Sequence, residues 1–158
     1  IGSDLHRLVE GRKLLLGGVE VPFPLGLLGH SDGDVVLHSV IDAMLGAAGL
    51  GDIGMMFPDT DERWKDIDSR ELLDIANNRL EKDKWEIVNI DIVVSVQEPR
   101  LGPFKGQMKR SISSILGIDF ANVNVKAKTG EGLGEIGTGK AIAAQAIVLL
   151  RKRVKRLI

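Results

Sequence analysis

Cysteine is absent from the 158 residues, which removes disulfides and thiolate metal sites and leaves the redox compartment open. Charge of one sign is lacking too, since 21 Lys and Arg against 22 Asp and Glu give a formal net charge of −1. A surface built for nucleic acid or for a membrane is therefore not indicated. No apolar run approaches the roughly 20 residues that a membrane helix needs, and no signal or transit segment is visible. The chain starts at Ile1 and not at Met, which predicts a trimmed N-terminus and a first strand that has lost its beginning. Histidine is scarce as well: His6, His30 and His38 are the only 3, and all lie in the first quarter. What is present is ordinary for a globular protein, 44% hydrophobic and 27% charged. The length fits a single domain over 1–158 with a real core.

The stretch His30 to Asp42, HSDGDVVLHSVID, concentrates the chemistry. It reads as a polar loop running into a helix over about 34–48. Asp34, His38 and Asp42 are spaced i, i+4, i+8 and share one helix face. Val35, Val36, Leu37, Val40, Ile41, Met44 and Leu45 make the other faces apolar, so the helix should be buried. A buried acid–His–acid stripe is costly unless its groups pair or bind a metal.

Elsewhere the patterning predicts a small α/β domain. Residues 1–8 form a strand with Asp4 and His6 on one face. Two apolar runs around Gly17-Gly18 form a hairpin that Pro22 and Pro24 end. Residues 25–33 are loop, and so is the acid-rich GDIGMMFPDTDERW, with Phe57 and two methionines as apolar anchors. Asp68 and Glu71 form a capping box for a helix over 69–82 with Leu72, Leu73, Ala76 and Leu80 inside. Val88 to Val96 is a strand with one buried face, and a helix over 103–116 buries Phe104, Met108, Ile112 and Leu116 before Gly117. Residues 122–128 form a short strand. A last helix is predicted from about Lys140, burying Ile142, Ala146 and Leu149 and ending in the basic RKRVKR. Helices alternating with a few strands imply a small sheet backed by helices.

Two constellations compete for function. Asp4, His6 and His38 would present two nitrogens and an oxygen, which suits zinc with an open fourth position. Asp42, one turn on, would orient the His38 imidazole. Against this, a lone His on an apolar helix is ordinarily a satisfied core residue, and the sequence leaves open whether the strand meets the helix. The second constellation is GEIGTGKA at 134–141, close to a phosphate-cradling P-loop between a strand and a helix. Ala141 lacks the magnesium-binding hydroxyl, and no strand follows to supply a carboxylate. That argues against a nucleotide hydrolase, while glycine N–H groups there can still receive a phosphate. Glu131 in the same loop is either a magnesium ligand or a solvated acid.

Asp4-x-His6, GLLGHSDGDVVLH at 26–38, GDIGMMFPDTD at 51–61, SRELL at 69–73, Gln97-x-Pro99-Arg100 and VNVKAKTGEGLG at 123–134 together resemble the 2-C-methyl-D-erythritol 2,4-cyclodiphosphate synthases. The match spans essentially the whole chain in order.

The resemblance implies a ferredoxin-like α/β sandwich assembled as a homotrimer with intersubunit active sites. It implies a lyase of the non-mevalonate isoprenoid route that converts 4-diphosphocytidyl-2-C-methyl-D-erythritol 2-phosphate to the cyclic diphosphate and releases CMP. Its partners would be that small cytidine substrate and further copies of itself. A bacterial-type enzyme of this kind is expected in the cytoplasm, a eukaryotic one in a plastid-type organelle.

Carried over by position, Asp4, His6 and His38 would hold zinc, and Glu131 magnesium or manganese. His30 and Thr129 would stabilise the transition state, with Ser31 along the phosphates. Asp52 and Gly54 would hold the methylerythritol hydroxyls. Phe57, Pro58, Asp59, Thr60 and Asp61 would form the adjoining substrate loop. On a neighbouring subunit, the cytidine pocket would run from Val96 through Gln97, Glu98, Pro99, Arg100 and Leu101 to Gly102, and from Ala127 through Lys128 and Thr129 to Gly130. Asp34 is either a substrate contact or the helix cap.

Two departures stand out. Glu135 and Thr138 replace an aromatic residue and an arginine that line the trimer axis in many bacterial relatives, so no axial anion site is expected. Lys128 replaces a small polar residue, either to meet a phosphate or to face solvent.

Overall fold

A computed structural model describes residues 1–153. Strand β1 (Gly2–Val9) alternates its side chains, with Gly2 and Leu8 buried and Ser3, Leu5 and Arg7 exposed. Strands β2 (Leu14–Leu16) and β3 (Val19–Val21) form the hairpin. Its turn needs positive φ at both central positions, and Gly17 and Gly18 supply it at 63° and 75°. Within the expected 25–33 loop, β4 (Gly26–Leu27) pairs with the end of β1. Helix α1 (Val35–Ala48) starts at an Asp34 cap and stops at Gly49, which has left-handed backbone.

The acid-rich loop carries one short helical turn, α2 (Ile53–Met56), and a 3₁₀ turn over Glu62–Trp64. Only Phe57 of its expected anchors is buried; Met56 packs partly on the core and Met55 is exposed. Helix α3 (Ser69–Lys82) buries Leu72, Leu73, Ala76 and Leu80 as its periodicity requires. Strand β5 (Trp85–Ser95) begins earlier than its alternation indicates, because a register shift between Ile87 and Asn89 breaks the pattern there. Helix α4 (Lys105–Leu116) buries Met108, Ile112 and Leu116 and ends at Gly117, while Phe104 lies in the preceding 3₁₀ turn. Strand β6 (Val123–Lys128), the one-turn α5 (Gly134–Gly137) and β7 (Ala141–Lys152) complete the order.

The segment after Lys140 is a strand and not the expected helix. Ile142, Ala144, Ala146 and Val148 are buried, while Gln145, Ile147 and Leu149 are exposed. The alanines favour helix locally, but pairing with strands on both sides overrides that preference. Arg151 to Arg153 belong to or follow this strand; the remainder of the basic RKRVKR, from position 154 on, lies outside the described residues.

The five-stranded sheet runs β4-β1-β7-β5-β6. β5 and β6 are parallel, joined by the α4 crossover, and the remaining neighbours are antiparallel. A small sheet backed by helices is therefore present. The ferredoxin-like arrangement is not, because the C-terminal strand inserts between β1 and β5 and leaves β5 and β6 as an adjacent parallel pair. α1 packs on β1 and β7 on one side and on α3 on the other. Ten of its residues are buried, so the site built on it is set in the core.

Candidate active site

Gly2 decides how close β1 comes to α1. A Cβ there would lie 2.2 Å from the Ser39 carbonyl oxygen and 2.3 Å from the Ala43 nitrogen. Without it, strand and helix meet, and strand alternation turns Asp4 and His6 toward His38. Asp4 Oδ2 lies 2.8 Å from His6 Nε2 and 2.9 Å from His38 Nδ1. The two imidazole nitrogens are 3.2 Å apart. These three residues form a cluster able to hold a metal ion.

The outer ring nitrogens set the tautomers. His6 Nδ1 is 2.6 Å from the Leu28 carbonyl oxygen, which can only accept, so Nδ1 carries the proton. His38 Nε2 contacts the hydroxyls of Ser31 at 3.0 Å and Ser69 at 2.9 Å. The Ser69 hydroxyl donates to Asp32 and therefore accepts from His38. The inner nitrogens and Asp4 Oδ2 are then all electron-pair donors, and their convergence calls for a cation between them. Where no cation is bound, a proton shared among the inner atoms takes its place. Burial opposes the charge on Asp4, but hydrogen bonds from His38 and His6 together outweigh it and hold the carboxyl far below its usual range. Burial likewise opposes protonation of His6, yet Asp4 raises its affinity for a proton above the ordinary value.

The two acids that share the helix face with His38 serve the backbone. Asp42 does not orient His38: its carboxylate accepts from the Ile53 N–H at 3.2 Å and ties α2 to α1. Ser69 and Ser31 do that work, and nothing in the sequence marks Ser69 as a site residue beyond its place in SRELL, at the first turn of α3. Asp34 is the cap of α1. It is fully buried and accepts from the backbone N–H groups of Gly17, Gly18, Val36 and Leu37. Burial raises its carboxyl above the usual range, against the pull of those N–H groups.

A pocket of about 190 Å³ opens beside the three ligands, lined also by His30, Ser31, Gly54, Phe57, Asp59 and Trp64. His30 Nε2 is buried there without a hydrogen-bond partner. Trp64, which the sequence did not mark, sets its ring edge-on to Phe57 at 5.1 Å. Asp52 caps α2 from outside the lining, and Asp61 is engaged by Arg63, which lowers its pKa. Pro58 and Thr60 lie in the same turn without lining the pocket.

A second pocket, of about 260 Å³, forms at the far ends of β5 and β6. Parallel pairing sets Ser95 beside Lys128 and so brings two loops together. Val96, Gln97, Pro99, Arg100, Leu101 and Gly102 line it from one loop, and Ala127, Lys128 and Thr129 from the other. Glu98 is exposed outside that lining. Just beyond, the Thr129 hydroxyl donates to Glu131 at 2.9 Å. Gly130 is packed so closely against Gly137 that a Cβ would lie 2.5 Å from its nitrogen. The P-loop alternative fails here, since Lys140 leads into strand β7 and not into the helix that a P-loop precedes. Glu135 sits 3.7 Å from Lys140 instead. A roomier cavity of about 410 Å³, among Trp85, Arg151 and Asp119, contains none of these residues.

The two site pockets share no residue.

The YgbB family profile matches residues 1–151. A 2-C-methyl-D-erythritol 2,4-cyclodiphosphate synthase of Treponema denticola is 51% identical over 150 residues, covering 95% of this chain and 93% of its own. The enzyme of the same name from Neisseria gonorrhoeae is 56% identical over 149 residues, covering 94% and 93%. A solved structure of such a synthase in its CDP-bound form superposes with a TM-score of 0.87 at 39% identity, over 95% of this chain and 97% of that one.

Proposed function

The chain belongs to the YgbB family, and we propose from that membership how it acts as a 2-C-methyl-D-erythritol 2,4-cyclodiphosphate synthase in making isoprenoid precursors. It takes 4-diphosphocytidyl-2-C-methyl-D-erythritol 2-phosphate. An oxygen of the 2-phosphate forms a bond to the phosphorus attached to the sugar alcohol, the bridge to the second phosphorus breaks, and CMP leaves with that oxygen. This makes it a phosphorus–oxygen lyase in a single catalytic domain. The observation that carries the reading is the convergence of Asp4, His6 and His38 beside a pocket.

No protein nucleophile is needed, because attacking and leaving groups belong to one substrate. The work is positioning and neutralisation of charge. Zinc held by Asp4, His6 and His38, and magnesium or manganese held by Glu131, would supply positive charge to the phosphate oxygens. His30 offers its unpartnered ring nitrogen, Ser31 lies beside it, and Thr129 offers its hydroxyl to the charge that develops in the transition state. Gly54 and Asp52 take the methylerythritol hydroxyls. Phe57 walls the pocket with Pro58, Asp59, Thr60 and Asp61 around it. The second pocket takes the cytidine through its loop backbones, with Glu98 and Gly130 at its margins and Lys128 toward the diphosphate.

The family resemblance implies that each active site is assembled from two copies in a homotrimer, and two pockets that share no residue fit that reading. The sheet face turned away from the helices supports this. It exposes Leu5 (59%), Ile147 (58%) and Leu149 (55%), which share that face with Ala143, and such a face favours burial against further copies. No helix among the described residues is long and apolar enough to cross a membrane; with bacterial relatives, the compartment assigned is the cytoplasm.

Incubation with the cytidine substrate and magnesium tests the reading. Cyclic diphosphate and CMP in equal amounts, with no free phosphate, are expected. Free phosphate in place of the cyclic product would make it a hydrolase, and bound zinc without turnover would make it a metal-binding protein only.

A further inference from the structure

Residues 28–34 carry the pocket's His30 and Ser31, yet they belong to no helix or strand. Their backbone carbonyls are nevertheless all engaged where it matters. Arg12 Nη1 donates to the Gly29 oxygen at 3.2 Å, and Nη2 donates to the Ser31 oxygen at 2.6 Å. The His30 oxygen between them accepts from the Asp66 N–H at 2.8 Å, and Asp66 holds a left-handed φ of 55° to do so. One guanidinium thus spans the residue from both sides. Arg12 itself is half-buried in the turn between β1 and β2, and none of the ion pairs among the described residues involves it. Its donors go to carbonyls, and its planar fork is what lets one side chain hold two of them.

From this geometry we infer that Arg12 is a positioning residue for the cyclisation: its forked guanidinium brackets Gly29 and Ser31 and so fixes the His30 side chain at the phosphates. The inference rests on the role given to His30 above. Arg12 lies outside the pocket lining and acts through the loop. Misplacing a catalytic group by about 1 Å costs on the order of 100-fold in rate, so the bracket should matter to kcat more than to KM.

A double-mutant cycle on this chain tests it, read as the rate of CMP release over a range of substrate concentrations at saturating magnesium. Arg12→Gln should lower kcat about 10- to 100-fold, with metal content and oligomeric state unchanged. In a His30→Ala background the same change should cost less than about twofold, because the group it positions is gone. Lys13→Ala, on the same turn and paired only with Glu20, should leave kcat unchanged. Arg12→Lys keeps the charge but loses the fork, and serves if Arg12→Gln fails to fold; it should lose activity as Arg12→Gln does. Full activity in Arg12→Lys would overturn the proposal, as would penalties that multiply in the double mutant or a loss confined to KM. Undiminished turnover in His30→Ala alone would instead overturn the role of His30, a separate failure.

Discussion

Single residues in this protein divide by what their buried polar atoms face. Ser69 has its hydroxyl between Asp32 and His38 Nε2, so it holds the tautomer that leaves His38 Nδ1 free for a cation. Ser69→Ala should weaken zinc binding 10- to 100-fold, measured by competition with a chromogenic chelator, and Ser69→Thr should recover most of it. Asp42→Asn should leave that affinity nearly unchanged, since Asp42 serves the Ile53 N–H. Asp34 faces four backbone N–H groups and no solvent. Asp34→Ala would orphan buried donors of both α1 and the hairpin turn, costing at least about 3 kcal/mol, read from urea unfolding. Three residues of one helix face, Asp34, His38 and Asp42, thus look alike in the sequence and do three different jobs. Spacing shows that they share a face; it does not show what each one meets.

At the scale of elements, the contact between β1 and α1 controls the site. Gly2→Ala places a methyl into the backbone of α1 at Ser39 and Ala43. The strand must move outward, at a cost of about 1–3 kcal/mol or more. Asp4 lies two residues further on, so zinc affinity should fall along with the melting temperature. A variant that lost stability but kept full zinc affinity would show that the close approach is not what aligns Asp4 with His38. The elements were unevenly legible. α1, α3 and α4 announced themselves by caps, glycine stops and a 3.6-residue stripe, and the hairpin by its glycine pair. β7 did not, because AIAAQAIVLL satisfies both a helical stripe and an alternating one, and its alanines lean to helix. Only strands to pair with on both sides settle that ambiguity.

For the whole molecule, the separation of the two pockets leads to a test of assembly. Ile147→Glu places a charge on the exposed apolar face of β7. It should yield a folded monomer by circular dichroism and sedimentation, still binding zinc and inactive in CMP release. Metal should also stabilise the fold as a whole. Free zinc at about a hundred times its Kd contributes about 2.7 kcal/mol, which for a chain of 158 residues corresponds to roughly 5–10 °C in Tm. Differential scanning fluorimetry of metal-stripped protein, before and after zinc, measures it, and His38→Ala should abolish the shift.

By itself the sequence determined the local grammar: which segments turn, which helices start and stop, and that scarce histidines stand beside aligned acids. The order of its motifs also identified the family, since six separated stretches match in register along the chain. These are properties of neighbours in the chain, governed by backbone preference and side-chain period. The tertiary structure alone decided that β1 lies against α1, that Ser69 rather than Asp42 serves His38, that Asp34 is sealed among N–H groups, and that β7 inserts between β1 and β5. It also decided that the loops after β5 and β6 share a pocket. Each of these joins residues distant in the chain, and depends on packing that a glycine's missing Cβ permits or on strand partners that no local pattern names.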